Sequence, residues 1–213
     1  MTSPERAGAS RLLTCAWGIL AALCVATIAY AIAVGIVGVP QPLRPSFEAT
    51  PILFYLHISC GAVALFVGLL QFNRTLRLRH VVWHRRAGML YLTMVAISGL
   101  AGLILSGSAT TGTVAVWGFR MLAIFWLVTT FIAWFCIFQR KIALHREWMI
   151  RSFSLTLAAV TLRLDLIAGL MFTQGDFDAV YPVIAWTCWV PNLLLGELWI
   201  RLSRHRFSRG KAK

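Results

Sequence analysis

Two short stretches place a histidine-arginine pair at the start of an apolar segment. The first reads "WHRRAGMLYL" and contains His84, and the second reads "LHREWMIRSF" and contains His145. Arginine beside an apolar segment is explained by membrane orientation, for which any basic residue serves. Histidine adds a neutral imidazole that can ligate iron while its second ring nitrogen is held by a polar neighbour. The two histidines are therefore the first candidates for chemistry.

Small residues follow both histidines at helical spacing. Gly88 lies four residues after His84, and Ser152 lies seven residues after His145, so each shares a helix face with its histidine. Such a face lets helices pack closely, or it leaves a slot for the edge of a flat cofactor. With arginines nearby to neutralise propionates, the second interpretation predicts one b-type haem (haem b) whose iron is bound by His84 and His145. This predicts an electron carrier that acts with a quinone or another redox partner.

Polar side chains in the apolar segments fall at two depths. We call the first the inner level; its members are His84, His145, Gln71, Arg151, Asn192 and Glu197. A metal-ligating histidine usually donates its other ring N–H to a polar group. Gln71, Asn192 and Glu197 are the expected holders of those second ring nitrogens.

The second depth, the outer level, consists of His57, Arg120 and Arg163, each roughly two helical turns below the opposite surface. An ionisable residue inside a membrane is unfavourable by a few kcal/mol and usually faces a cavity or a partner. We therefore expect the three residues to face one shared cavity and to contribute to a cofactor or ligand site. In the alternative interpretation, Arg120 or Arg163 pairs with Asp165 and holds helices together.

These residues must be positioned by membrane helices. The chain has 213 residues, of which 59% are hydrophobic and 13% are charged. Six apolar stretches each have about the 20 residues that a helix needs to cross a bilayer. They predict an all-α bundle of six transmembrane helices in one domain, residues 1–213, with spans at about 14–37, 52–72, 87–106, 114–138, 148–171 and 181–200.

The basic residues predict the orientation of the bundle. Outside the predicted spans, every Lys and Arg except Arg44 lies in the N-terminal stretch, the second or fourth connection, or the C-terminal tail. The positive-inside rule then places both termini in the cytoplasm. The net charge of +13 reflects this topology and contact with the lipid bilayer. We do not expect nucleic-acid binding, because the basic residues form no separate domain.

Helices two and three resemble helices four and five. Each pair has Phe and Gln near the end of its first helix, then basic residues, then His-Arg and a Met. The pattern predicts a parallel repeat related by an approximate axis along the membrane normal. His84 and His145 would then lie at the same depth.

The chain also resembles an uncharacterised bacterial membrane family known as domain of unknown function 2306. The stretches that carry the resemblance are "LHISCGAVALFVGLLQF", "HRRAGMLYL", "LHREWMIRSFSLTLAAVTLRL" and "IAWTCWVPNLLLGE", and they cover helices two to six. The resemblance implies a compact multi-helix protein of the bacterial cytoplasmic (inner) membrane. It brings no established reaction, so it does not decide whether the chain is an enzyme.

Two further classes of function compete with the haem protein. A transporter or binder of a small anionic molecule would use the outer arginines to hold its ligand. A membrane accessory or scaffold protein would use every histidine and arginine for packing alone. An absorption spectrum of the purified protein distinguishes the haem protein from the other two.

Overall fold

The computed structural model describes residues 3–109 and 111–211, with side chains described for residues 12, 14–109 and 111–204. Within these ranges the regular structure is helical and no strand occurs. The α-helices are α1 (Ser3–Val37), α2 (Arg44–Ala49), α3 (Pro51–Gln71), α4 (Arg74–Arg79), α5 (Val81–Leu105), α6 (Thr113–Phe138), α7 (Ile142–Thr156), α8 (Ala158–Phe172), α9 (Phe177–Thr187) and α10 (Val190–Lys211). The predicted domain, 1–213, also includes residues 1, 2, 110, 212 and 213, which lie outside the described residues.

Six helical segments are long and apolar enough to cross a membrane, which confirms the predicted all-α bundle of six spans. They are Thr14–Val37, Pro51–Gln71, Val81–Ser108, Thr113–Phe138, Ile142–Phe172 and Phe177–Arg204. The third and fifth begin about six residues earlier than predicted, because the helices continue through the His-Arg pairs. Arginine side chains at such helix ends can extend to the polar headgroups, so the helix need not stop where the apolar run stops. The orientation of the bundle remains a prediction.

Large apolar side chains cover much of the surface of the bundle. Phe66, Phe131 and Leu194 are all more than half exposed. Acyl chains solvate such side chains as well as a protein core does, so in a bilayer their burial contributes little to helix association. Close packing and interhelical hydrogen bonds must supply the association instead.

The centre of the bundle is a ring of four helices. Helix α3 packs along α5 and α6 packs along α7, while contacts of α5 with α6 and of α3 with α7 close the ring. The buried side chains at its centre include Leu65, Tyr91, Trp126 and Phe153. Helix α1 packs on α3 and α8, and α9 and α10 pack on the outside of α6 and α7.

The four-helix ring has the arrangement that a parallel repeat predicts. Tyr91 follows His84 by seven residues, and Ser152 follows His145 by seven, so the two hydroxyl residues are equivalent positions of the repeat. Their hydroxyl oxygens lie 2.8 Å apart. Helices α5 and α7 are opposite helices of the ring, so a contact between equivalent residues is expected there if the hairpins repeat. The repeat itself stays a prediction.

The fifth span is broken at Leu157, between α7 and α8. The backbone N–H of Val160 bonds to the Leu157 carbonyl at 2.9 Å, a spacing of three residues rather than four. Just before the break, the Thr156 hydroxyl donates to the Ser152 carbonyl at 3.1 Å, a type of bond that bends helices. The break therefore forms without a glycine or a proline.

The sixth span is broken at Cys188 and Trp189, between α9 and α10. Pro191 follows at once, and its lack of an N–H removes one helical hydrogen bond there. The side chain of Asn192 compensates in part, because its Nδ2 donates to the Cys188 carbonyl at 3.0 Å. Two neighbouring spans are thus interrupted inside the membrane, which leaves α8 and α9 as a hairpin with a break at each end.

Candidate functional site

A buried hydroxyl network lies at the centre of the four-helix ring. The Tyr91 hydroxyl lies 2.8 Å from both the Ser152 and the Thr156 side-chain oxygens. The indole N–H of Trp126 donates to Thr156 at 2.9 Å, and the Thr130 hydroxyl lies 2.6 Å from that of Ser152. The network ties α5, α6 and α7 together midway along the ring. The helical spacing after His145 indicated Ser152, whereas nothing in the sequence indicated Trp126 or Thr130.

A cavity of about 260 Å³ lies on the side of this network that the sequence predicts to be outer. We call it the outer cavity. Its polar lining includes Ser46, His57, Ser98, Ser106, Thr156, Arg163 and Tyr181. Its apolar lining includes Phe54, Leu65, Phe119, Leu122, Trp126 and Leu162. A space of this kind, largely apolar with a few polar groups, is typical of small-molecule sites in proteins.

His57 is held at the cavity by a reciprocal pair of bonds with Ser98. The ring Nδ1 lies 2.9 Å from the Ser98 carbonyl, and the Ser98 hydroxyl donates to the His57 carbonyl at 2.8 Å. A carbonyl can only accept, so Nδ1 carries the proton and Nε2 of the neutral ring is left as an acceptor. The ring also packs against Gly102, where a Cβ would lie 2.8 Å from Nδ1. The small residue on α5 therefore makes room for a histidine of α3.

Arg163 lines the same cavity from α8. One of its terminal nitrogens donates to the Ala159 carbonyl, and its guanidinium carbon lies 4.9 Å from the centre of the Tyr30 ring. Its Nε is buried and has no hydrogen-bond partner. Among the described residues no carboxylate forms an ion pair with it. Asp165 instead accepts a bond from the Thr187 hydroxyl at 2.9 Å, so the alternative in which it pairs with Arg163 is not the arrangement seen.

Arg120 lies at the border of the outer cavity rather than in its lining. Its Nε is 3.4 Å from the Ser106 hydroxyl, and its guanidinium carbon is 5.4 Å from the centre of the Trp117 ring. The structure thus brings His57 and Arg163 to one cavity and turns Arg120 toward the Ser106–Ser108 turn. Whether these three residues bind a ligand stays a prediction.

At the inner level the charged side chains pair with one another. Arg151 donates to Glu197 through two nitrogens, at 3.0 and 2.7 Å, and its guanidinium carbon lies 4.5 Å from the centre of the Trp148 ring. Glu197 also pairs with Arg201 at 3.3 Å. Both carboxylate oxygens of Glu197 are therefore engaged by arginines.

Two of the three expected holders of the inner histidines, Asn192 and Glu197, have other partners. Asn192 donates to the Thr161 hydroxyl at 2.7 Å, and Thr161 lies 16 residues beyond His145, or roughly 24 Å along a helix. Asn192 therefore does not belong to the inner level. Glu197 is occupied by arginines, so neither side chain holds a histidine ring.

The partner of His145 is a backbone carbonyl. Its Nδ1 lies 2.8 Å from the Ala133 carbonyl, which fixes the ring and leaves Nε2 free. A carbonyl inside a neighbouring helix leaves no signal in the sequence. His84, at the equivalent position, differs: its Nδ1 is buried without a partner, and so is Nε2 of Gln71.

The space predicted for a haem edge behind the histidines is taken by protein side chains. Ser152 is fully buried and bonded to Tyr91 and Thr130. A Cβ at Gly88 would lie 3.6 Å from Oε1 of Gln71, so a side chain also lies behind His84. Haem ligation by His84 and His145, with electron transfer to a quinone, stays a prediction from the sequence.

Fold and site together define a class: a six-span α-helical membrane protein with a cavity, beside its central four-helix ring, that is lined by an arginine and a histidine. Over residues 54–200 the chain matches the profile of the family described as "Predicted membrane protein (DUF2306)". The match covers more than half of the chain, and the chain belongs to this family. This agrees with the resemblance seen in the sequence. The match includes most of α3, all of α4 to α9 and half of α10, with His57, Arg163 and both inner histidines.

No curated protein and no solved structure matches the chain. The geometry of the site is therefore the basis on which a function can be proposed.

Proposed function

We propose that this membrane protein binds a small amphipathic anion in the outer cavity. The observation that carries the proposal is Arg163, whose guanidinium lines the cavity and has no carboxylate partner among the described residues. A charge inside a membrane span is unfavourable unless something pairs with it. Its Nε is buried without a partner among the described residues, so the chain itself leaves this donor unsatisfied.

The lining of the cavity supports an apolar body for this ligand. Phe54, Leu65 and Leu122 lie around the space that the guanidinium reaches. A hydrated inorganic ion would have to lose its water against these side chains, which is unfavourable. A molecule with a short hydrocarbon body and one anionic group matches both parts of the lining.

His57 adds selectivity for the anionic group. Its Nδ1–H is fixed on the Ser98 carbonyl, so Nε2 is the ring atom left for a ligand. The neutral ring would accept a bond from a hydroxyl or a protonated acid, and the protonated ring would donate to a second anionic oxygen. A ligand with two neighbouring oxygens, such as a carboxylate, can use Arg163 and His57 together.

One observation favours transport over simple binding. The α8–α9 hairpin carries Arg163 and Tyr181, and both of its connections, at Leu157 and at Cys188–Trp189, are breaks within membrane spans. Hinges of this kind let a segment move as a unit, and interrupted helices are common at the binding sites of transporters. Movement of the hairpin would open the cavity beside Arg163.

A pair of matched probes tests the proposal. Octanoate has a carboxylate on a short apolar chain, and octanol has the same chain without the charge. We expect octanoate to raise the unfolding temperature of the purified protein more than octanol does, and Arg163→Gln to abolish that difference. Arg44→Gln is the control, because Arg44 is an exposed arginine near the same end of the bundle. Equal effects of the two probes on the wild type would contradict the proposal and leave the scaffold interpretation standing.

A further inference from the structure

Two buried donors meet at the inner end of α3 and α5. Gln71, the last residue of α3, is 8% exposed, and its Nε2 has no partner among the described residues. A Cβ at Gly88 would lie 3.6 Å from its Oε1, and Gly88 is one turn beyond His84 on α5. The Nδ1 of His84 is likewise buried and unpartnered. Gln71 therefore packs one helical turn from His84, and each of the two side chains has a buried nitrogen without a partner among the described residues.

The equivalent histidine shows that such a nitrogen need not be left unsatisfied. His145 occupies the same position in the second hairpin, and its Nδ1 bonds to the Ala133 carbonyl at 2.8 Å. Both histidines follow the same sequence pattern, so the difference lies in what each ring faces. A buried polar group without a partner destabilises a fold. The first hairpin therefore tolerates an unfavourable arrangement that the second avoids, which points to a partner from outside the chain.

The basic groups around His84 favour a partner with negative charge. Among the described groups, those that act electrostatically on His84 are Arg77, Arg85 and His145, and all are basic. The two arginines are exposed at the membrane face. A metal ion would be repelled by these neighbours, whereas an anion would be attracted to them. Arginine and amide donors together suit the oxygens of a phosphate group.

We propose that Gln71 and His84 bind an anionic phosphate oxygen at the basic end of the bundle, with Arg77 and Arg85 neutralising the remaining charge. This site is separate from the outer cavity and does not depend on the function proposed for it. The phosphate group has two possible sources, the headgroup of an anionic phospholipid or a free phosphate compound. Both present the same oxygens at the depth where α3 ends and α5 begins.

The test uses the full chain in nanodiscs of phosphatidylcholine, with the unfolding temperature as readout. In one arm inorganic phosphate is added, and in the other a fifth of the lipid is replaced by phosphatidylglycerol. At about ten times the dissociation constant we expect the wild type to gain roughly 3–6 °C. Gln71→Leu abolishes the gain and Arg77→Gln reduces it. Arg77 is exposed, so its variant keeps the test valid where the buried Gln71 variant does not fold.

The matched control is Arg74→Gln, an exposed arginine in the same connection, which should keep the gain. A gain with phosphatidylglycerol alone assigns the site to a lipid headgroup, and a gain with inorganic phosphate as well assigns it to a free phosphate compound. The proposal is overturned if neither arm stabilises the wild type, or if Arg74→Gln loses as much as Arg77→Gln. A Soret band that disappears in His84→Ala would also overturn it, because the histidine would then ligate haem.

Discussion

The arginines of the inner and outer levels have different partners. Arg151 lies close to the basic end and forms an ion pair with Glu197 at 2.7 Å. Arg163 lies beside a largely apolar cavity and has no carboxylate partner among the described residues. A charge without a carboxylate partner is unfavourable in surroundings that exclude water. Under the proposed function, Arg163 serves a ligand and Arg151 serves the fold.

The histidines differ in whether their Nδ1 forms a hydrogen bond. His57 and His145 each donate Nδ1–H to a backbone carbonyl of the neighbouring helix, although they lie at opposite levels. His84 has no such bond. A carbonyl-held ring presents a fixed Nε2, whereas a ring with a free Nδ1 can still bind through that atom. The role of a histidine therefore depends less on its level than on whether a backbone carbonyl accepts a hydrogen bond from its ring.

A topology experiment tests which side of the membrane each level faces. A reporter fused after Lys213 should be active only in the cytoplasm, because the basic connections and the tail lie at the same end. The effect is all or none. A periplasmic signal would exchange the inner and outer levels, and the phosphate site would then face outward.

Because Arg151 and Arg163 have different partners, we expect replacement by methionine to change the free energy of unfolding differently at the two positions. Arg151→Met leaves Glu197 with only its exposed partner Arg201, so we expect it to lower the free energy of unfolding by about 1–3 kcal/mol. Arg163→Met removes a charge without a carboxylate partner, so we expect the free energy of unfolding to stay unchanged or rise when no ligand is present. Unfolding of both variants in detergent, followed by the same optical signal, measures the difference.

Each arginine variant is the control for the other, since both remove a guanidinium that also contacts an aromatic ring. A large loss of stability in Arg163→Met would show that Arg163 has a structural partner. That outcome would remove the observation on which the outer ligand site rests.

The sequence predicted the helices better than the site. Spans follow from length and hydropathy, which act locally, whereas the parallel repeat expected from the His-Arg pattern stays a prediction. The break at Leu157 was missed, because the residues around it, "SLTLAAV", contain neither glycine nor proline. Ala133 was missed as a partner of His145, because a backbone carbonyl has no residue type. Asn192 was placed too near the inner level, because the bend at the preceding break changes which neighbours its side chain reaches.

The hydroxyl network between the two levels predicts a smaller effect. Tyr91→Phe removes two hydrogen bonds, to Ser152 and Thr156, and we expect it to lower the free energy of unfolding by roughly 0.5–2 kcal/mol. Tyr55→Phe is the control, because Tyr55 is an exposed tyrosine. Unfolding in detergent measures both. Equal losses would mean that the network does not join the levels energetically.

The smallest predicted effect separates two residues that the repeat makes equivalent. His145→Ala removes a hydrogen bond to the Ala133 carbonyl, so we expect it to lower the free energy of unfolding by about 0.5–1.5 kcal/mol. His84→Ala removes a buried nitrogen without a partner, so in detergent free of phosphate and anionic lipid we expect a smaller loss or none. The two variants control for each other, because each replaces a partly buried histidine near the start of its helix. Added phosphate should then enlarge the loss in His84→Ala alone, because only His84 is proposed to gain a partner. Equal losses without phosphate would show that His84 is already satisfied, and the difference between the two hairpins would have no energetic basis.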